Sequence, residues 1–161
     1  MKKYTKILSL IAVLICIVFM SGCAKNITVE YQIDDTVITT QQYAKNNKIK
    51  LVDAPTKEGY TFVGWYDKAT DTKVEEKVKV KGNLVLVGKY EITNYQIIYQ
   101  NEGNQVSNPT TYTMFSEDIT LNNPTRDGYV FLGWYNGDTK VEKIVKGSTG
   151  NLTLVAKWEV I

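Results

Sequence analysis

The chain of 161 residues has no histidine and two cysteines, Cys16 and Cys23. Both cysteines lie in or beside an apolar N-terminal segment, so the rest of the chain has no thiol for a disulfide, a metal or a nucleophile. A Gly-x-Ser-x-Gly elbow, a phosphate-binding loop and a metal-spaced cluster are also absent from the sequence. We therefore predict that the protein is not an enzyme and uses no cofactor and no metal.

Carboxylates were the remaining catalytic candidates, because a two-carboxylate hydrolase needs no histidine. The adjacent acidic pairs are Asp34-Asp35, Glu75-Glu76 and Glu117-Asp118. Side chains that are adjacent on a strand point to opposite faces, so we interpret these pairs as solvated edges or turns.

The basic residues do not form a stripe. Residues 26–91 contain ten basic and ten acidic residues, and residues 92–161 contain five and seven. Nucleic-acid binding therefore lacks its electrostatic footprint, and for the same reason we do not expect a polybasic surface that binds a membrane. Lys77, Lys79 and Lys81 could hold an anionic polymer, but we favour a strand over residues 75–82 with one exposed face.

The first 22 residues are typical of a signal peptide. A basic start is followed by fourteen uncharged residues, Ile7 to Met20, which are too few for an ordinary membrane span of roughly 20 residues. The segment ends in Met-Ser-Gly-Cys, which resembles the lipobox of bacterial lipoproteins. That resemblance implies cleavage before Cys23 and lipidation of its sulfur, with 23–25 as the tether; an uncleaved signal anchor is the alternative.

A twelve-residue string occurs twice. PTKEGYTFVGWY at residues 55–66 returns as PTRDGYVFLGWY at residues 124–135, with eight identical positions. The flanks repeat as well: DTKVE follows each string, and GNLVLVGKYE and GNLTLVAKWE close the two units. We therefore predict two tandem modules, 26–92 and 93–161.

Alternation of period two inside the repeated string predicts a central strand that is covered on both faces. Gly64 and Gly133 are interpreted as seats for aromatic rings, so Gly64→Val should lower the melting temperature. The turns DKATDT and NGDT predict hairpins, and residues 39–48 and 116–120 are weak candidates for a single helical turn.

Together these residues resemble the Listeria–Bacteroides repeat, the B-repeat of internalin-type surface proteins. The resemblance implies a mainly β fold of small β-grasp-like modules with little helix. It also implies that the shared residues form the structural core rather than a site. These residues are Gly59, Tyr60, Phe62, Gly64, Trp65, Tyr66, Gly128, Tyr129, Phe131, Gly133, Trp134, Tyr135 and Trp158.

The function that the resemblance implies is binding or adhesion to an envelope or host component, such as a surface protein or glycan, by a lipid-anchored extracytoplasmic protein. Aromatic candidates outside the core strands are Tyr43, Tyr95 and Tyr112, although packing is the commoner role for such residues. The alternative is a non-catalytic spacer or assembly subunit; since the sequence ends at Ile161, its partner would have to bind non-covalently.

The lipidation site can be tested by Cys23→Ser. We expect this variant to keep its signal segment unprocessed, because the sulfur that would carry the lipid is gone. Metabolic labelling with a fatty acid and fractionation of the cells check this. Normal maturation and normal retention in the membrane fraction would show that the lipoprotein interpretation is wrong.

Overall fold

The computed structural model describes residues 26–161. The predicted signal helix over 1–22 and the lipidated tether over 23–25 lie outside the described residues. Residues 26–161 contain strands and connecting segments, and no helix in that range is long and apolar enough to cross a membrane. The mainly β fold predicted from the sequence is confirmed.

The described chain divides into two compact units. The first consists of residues 26–55 and 62–90, and the second of residues 56–61 and 91–161. The exact module bounds predicted from the repeats, 26–92 and 93–161, remain a prediction.

The first unit contains a four-stranded sheet. Its strands are β1 (Asn26–Ile33), β2 (Thr36–Ala44), β3 (Tyr60–Asp67) and β4 (Leu84–Ile92), in the order β2-β1-β4-β3. β1 pairs antiparallel with β2 and parallel with β4.

The second unit contains a five-stranded and a two-stranded sheet. The larger sheet has the order β6-β5-β11-β8-β9 and the smaller one pairs β10 with β7. The strands are β5 (Tyr95–Gln100), β6 (Thr111–Tyr112), β7 (Ile119–Thr120), β8 (Tyr129–Asn136), β9 (Thr139–Val141), β10 (Lys143–Ile144) and β11 (Leu152–Val160).

The repeated Gly-Asn-Leu string begins the parallel pairing of the first and last strands of each repeat. Asn83 Oδ1 accepts a hydrogen bond from the backbone N of Thr28 at 3.0 Å. Asn151 Oδ1 accepts the equivalent bond from Gln96 N at 2.9 Å. The side chain thus pairs the backbone at the point where β4 and β11 enter their sheets.

Each core is built around a line of four aromatic rings. In the first unit Tyr31, Trp65, Phe62 and Tyr90 follow one another with centroid separations of 4.9, 5.4 and 5.3 Å. Their counterparts in the second unit are Tyr99, Trp134, Phe131 and Trp158, at 5.2, 5.7 and 5.3 Å. All six contacts are edge-to-face, an arrangement that adds about 0.5–1.5 kcal/mol per pair beyond area burial.

The simple alternation predicted for the repeated string is wrong, because Phe131 and Trp134 are three residues apart and yet share a face. A β-bulge between β8 and β11 explains this: Lys157 pairs with Gly133, whereas Trp158 pairs with Phe131. One extra residue in β8 reverses the side-chain direction beyond it. The same ring contact, between Phe62 and Trp65, is present in the first unit.

Aromatic rings do not pack against Gly64 and Gly133, so this prediction is wrong. A Cβ built on Gly64 would lie 2.6 Å from Cε of Lys73, and one on Gly133 would lie 2.5 Å from Cε of Lys140. Both glycines have positive φ, 147° and 138°. Aromatic rings do lie against Gly88 of β4, where a Cβ would be 2.3 Å from Cδ1 of Ile33 and 3.0 and 3.1 Å from Trp65 and Phe62.

The other glycine and the tyrosines of the string have local roles. Gly59 and Gly128 take φ of 76° and 80° in the turns that precede β3 and β8. Each tyrosine that follows lies under a cation: Lys57 over Tyr60, Lys89 over Tyr66, Arg126 over Tyr129 and Lys157 over Tyr135, at 3.8–4.7 Å from the ring centroids.

Several local predictions are wrong. The repeated strand is central in the second unit, where β8 lies between β11 and β9, but β3 is an edge strand of its sheet. Neither candidate helical turn is helical, since one lies mostly in β2 and the other leads into β7. The segment 75–82 is a connection whose β-structure is an isolated bridge at Lys79. The hairpin at NGDT is confirmed, since Asn136 pairs with Thr139.

The bulge glycines yield a stability prediction. Gly133→Val should lower the unfolding free energy by about 2 kcal/mol or more, because valine is strained at positive φ and its side chain would displace Lys140. Thermal unfolding checks this. Gly82→Val is the matched control, since Gly82 has open space and no positive φ; equal losses in the two variants would contradict the account.

Candidate binding grooves

A surface groove lies beside the repeated strand in the first unit. Its volume is about 270 Å³. The floor is β3, one wall is the segment 51–54 that leads toward the repeated string, and the other wall is the segment 73–76. The floor residues are Phe62, Val63, Gly64 and Trp65.

The second unit has the same groove at the corresponding positions, with a volume of about 330 Å³. Its floor is β8, with Phe131, Leu132, Gly133 and Trp134, and its walls include residues 120, 121 and 123 and residues 140–142. The repeated sequence therefore forms the same groove once in each unit.

The buried tryptophan fixes one wall of each groove. Trp65 Nε1 donates a hydrogen bond to the carbonyl oxygen of Val52 at 2.8 Å. Trp134 Nε1 donates to the carbonyl oxygen of Asn122 at 3.1 Å. The two indoles are 1% and 2% exposed, so each bond links a core side chain to a surface segment.

The wall of the second groove is held by further bonds. Asn108 Oδ1 accepts from Asn122 N at 2.7 Å, and Asn122 Nδ2 donates to the carbonyl oxygen of Ser107 at 2.6 Å. This wall is accordingly tied to the connection after β5 as well as to the core.

Each groove combines an apolar floor with one ammonium group and carboxylates at the rim. Lys73 and Lys140 cross the bulge glycines, and Lys140 Nζ lies 3.7 Å from Oε1 of Glu142. Glu75 and Glu76 line the first groove. Within residues 26–161 no group of three His, Cys, Asp or Glu side chains is placed to hold a metal ion.

Sequence comparison decides the family. The model of the Listeria-Bacteroides repeat domain matches residues 28–89 and again residues 95–157. The chain belongs to this repeat family. The tandem arrangement predicted from the two strings is confirmed, and both grooves lie inside the matched residues.

Three relatives of this repeat protein show where such modules occur. Internalin H of Listeria monocytogenes is 36% identical over 128 residues, which is 74% of this chain and 23% of the relative. Two proteins of Evansella cellulosilytica, named as a Gly-rich membrane protein and a membrane protein, are 36% and 31% identical over 66% of the chain. The match spans 13% and 17% of their lengths.

The aromatic residues singled out outside the core strands are packed rather than displayed. Tyr112 is 4% exposed and belongs to the core of the second unit, where Tyr95 packs against it at 5.4 Å. Tyr43 lies in β2, packs against the first core and donates to the carbonyl oxygen of Lys50 at 3.0 Å. Burial raises the pKa of Tyr112, in keeping with its position. The exposed aromatic residue is Phe115, at 46%, which the sequence did not mark.

The groove linings were missed because they come from segments on both sides of the string. A signal was present in the sequence, since DTKVE repeats identically and contributes Lys73 and Lys140. Cys23, the predicted lipidation site, lies outside the described residues.

The two repeats differ in charge in the segment that precedes β7 and at the corresponding positions of the first unit. In the second unit Lys143 Nζ lies 2.5 Å from Asp118, and Lys146 Nζ lies 2.5 Å from Glu117. The bond from Lys143, with a second from the backbone N of Lys146, lowers the pKa of Asp118. The stretch that begins at Ile49 aligns with the one that begins at Ile119, since both lead into Pro-Thr of the repeated string; the two positions before it are Asn47 and Lys48 in the first unit.

Asp118 gives a prediction for acid stability. Because its folded pKa is below the unfolded value of about 3.9, its contribution is present above that pH and is lost as the pH falls through the folded value. Asp118→Asn should therefore lower the urea midpoint at pH 7 and have little effect near pH 2, with Asp127→Asn as an exposed control. An equal loss at both pH values would contradict this assignment.

Proposed function

We propose that this protein is a lipid-anchored, extracytoplasmic binding protein that holds an envelope or host surface component in two equivalent grooves, and that adhesion follows from this binding. The observation that carries the proposal is the recurrence of one groove, with the same floor, lysine and acidic rim, in both repeats. The proposed anchor is Cys23, after removal of residues 1–22.

The groove dimensions favour part of an extended polymer over a whole small ligand. Volumes of about 270 and 330 Å³ lie at the lower end of ligand pockets, and both grooves are open to solvent. A side chain of a surface protein or a sugar unit of a glycan fits this size. The lysine and the carboxylates supply hydrogen bonds to such a ligand, and the aromatic floor supplies apolar contact.

Two linked sites suit a ligand that repeats. When one site is occupied, the second binds at a high effective concentration, and avidity can exceed single-site affinity by roughly 10²–10⁴-fold. A glycan or a surface protein present in many copies would therefore be held firmly by two weak grooves.

The relatives support the proposed location and a non-enzymatic role. Two of them are named as membrane proteins and one as an internalin. An extracytoplasmic position would bring the grooves to surface components. The apolar floor, lysine and carboxylates can bind such a component without a chemical reaction.

A structural spacer or assembly subunit is the second candidate, and the aromatic cores favour it. The two units carry the same line of four rings and the same parallel closure of first and last strand, which would serve repeated building blocks equally well. A spacer, however, does not require the same opening in each block.

The test uses one substitution in each groove. Val63→Arg and Leu132→Arg place a charged side chain on the two floors at residues that are partly exposed, so folding should be retained. On arrays of envelope glycans, host glycans and immobilised surface proteins, we expect the double variant to lose the binding seen for the parent. Each single variant keeps one intact groove, so it should lose the gain from two linked sites. Its apparent affinity should fall roughly 10²-fold or more.

The control is Val37→Arg with Ile98→Arg. These residues are 38% and 56% exposed and line neither groove, and the pair adds the same charge. Binding that survives in the groove variant, or falls equally in the control, would overturn the groove proposal. A parent protein that retains none of the arrayed components would favour the spacer.

A further inference from the structure

Six lysines gather in the first unit, and we call them the lysine cluster. All six are exposed, and they come from two segments that are far apart in sequence. They are Lys45, Lys48, Lys50, Lys77, Lys79 and Lys81.

Backbone pairing holds the two segments together. Asn46 N donates to the carbonyl oxygen of Val80 at 2.8 Å, and Ile49 N donates to that of Val78 at 3.0 Å. Lys48 and Lys79 face each other in an antiparallel bridge. Like charges directly opposite one another are destabilising, so this arrangement costs free energy unless an anion relieves it.

No member of the lysine cluster has an ion pair within the described part of the chain, 26–161. In the second unit, by contrast, Lys143 and Lys146 are paired with Asp118 and Glu117. The alignment places Lys48 where the second repeat has Asp118. The second repeat thus carries its own counter-charges, and the first repeat has exchanged one of them for another cation.

The lysine cluster lies at the end of the sheet where the described chain begins. Ala44, which precedes Lys45, is the pairing partner of Asn26, the first residue of β1. The other segment is at the same end, because Asn83 bonds to Thr28 N.

Acidic residues mark the opposite end of the first unit. Asp34 and Asp35 form the turn after β1, and Lys68, in the turn after β3, pairs with Asp35 at 3.0 Å. The first unit therefore carries the lysine cluster at one end and the Asp34-Asp35 turn at the other, although its total charge is balanced.

We propose that the lysine cluster binds the phosphate-bearing headgroups of anionic phospholipids in the membrane that holds the protein. This rests on the proposed function, since two residues separate Cys23 from Asn26 and a lipid on Cys23 would keep β1 within roughly 10 Å of its anchor point. Lysines held this close to an anionic membrane surface are attracted to it in addition to the contribution of the acyl chains.

The position of the lysine cluster favours the membrane over a soluble anionic polymer. The anchored end of the first unit faces headgroups at a high effective concentration, whereas a polymer would have to diffuse there. Each lysine near an anionic surface strengthens contact by roughly five-fold.

The experiment measures lysine acetylation in the intact protein. Protein purified from the membrane fraction is reconstituted into vesicles of phosphatidylcholine alone or of equal parts phosphatidylcholine and phosphatidylglycerol. Acetylation rates are read by mass spectrometry. We expect the lysine cluster to react several-fold more slowly in the anionic vesicles. The difference should vanish in 1 M NaCl, because salt then screens the attraction between lysines and headgroups beyond about 3 Å. Lys143 and Lys146 should react equally in both.

A matched pair of variants tests the assignment. Lys48→Gln with Lys79→Gln should weaken headgroup contact by roughly 25-fold, seen as faster acetylation of the remaining four lysines. Lys143→Gln with Lys146→Gln removes the same charge from the second unit and should leave that protection unchanged.

Equal acetylation of the lysine cluster in the two kinds of vesicle would overturn the proposal. It would also be overturned if soluble polyphosphate, and not the anionic vesicles, slowed the reaction, since the site would then belong to a polymer. The mass of the N-terminal peptide reports lipidation of Cys23 separately, so failure of the anchor is distinguished from failure of the lysine cluster.

Discussion

The hydrogen bond from a buried tryptophan to a surface backbone carbonyl is the contact on which each repeat depends. Trp65 and Trp134 are nearly inaccessible, and an indole N–H left without a partner there would cost about 1–3 kcal/mol. Val52 and Asn122 supply the acceptors. Because the same ring packs between two other aromatic side chains, this bond ties the segment before each repeated strand to the middle of the core.

The bulge follows from the same requirement. Phenylalanine and tryptophan three residues apart can meet on one face only if the strand gains a residue between them, and Gly133 accepts the positive φ that this requires. The missing Cβ leaves room for the stem of Lys140, which crosses the strand as the edge of the groove. Core packing and groove shape are therefore consequences of one backbone irregularity.

Much of this architecture could be predicted from the sequence. Two strings 69 residues apart, identical at eight of twelve positions, indicated the tandem modules, and their alternation indicated strands. The absence of histidine and of a thiol after Cys23 limited the possible chemistry. The sequence could not predict that Phe62 and Trp65 lie on the same face of β3. That arrangement needs a bulge, and a bulge depends on how β3 pairs with β4, which begins at Leu84. The lysine cluster was equally hidden, since residues 45–50 and 77–81 meet only through tertiary pairing. Lysines at every second position of residues 75–82 resemble the alternation of a strand, although this segment is a connection with one isolated bridge.

The two repeats keep their core and differ in surface charge. We propose that the common groove binds the ligand and that the divergent lysines contact the membrane at the anchored end. The indole N–H resonances of the three tryptophans test the central claim most directly, with Trp→Phe variants to assign them. When a surface component retained by the protein is added, we expect the Trp65 and Trp134 signals to shift as both grooves fill. Binding that leaves these two resonances unmoved would contradict it.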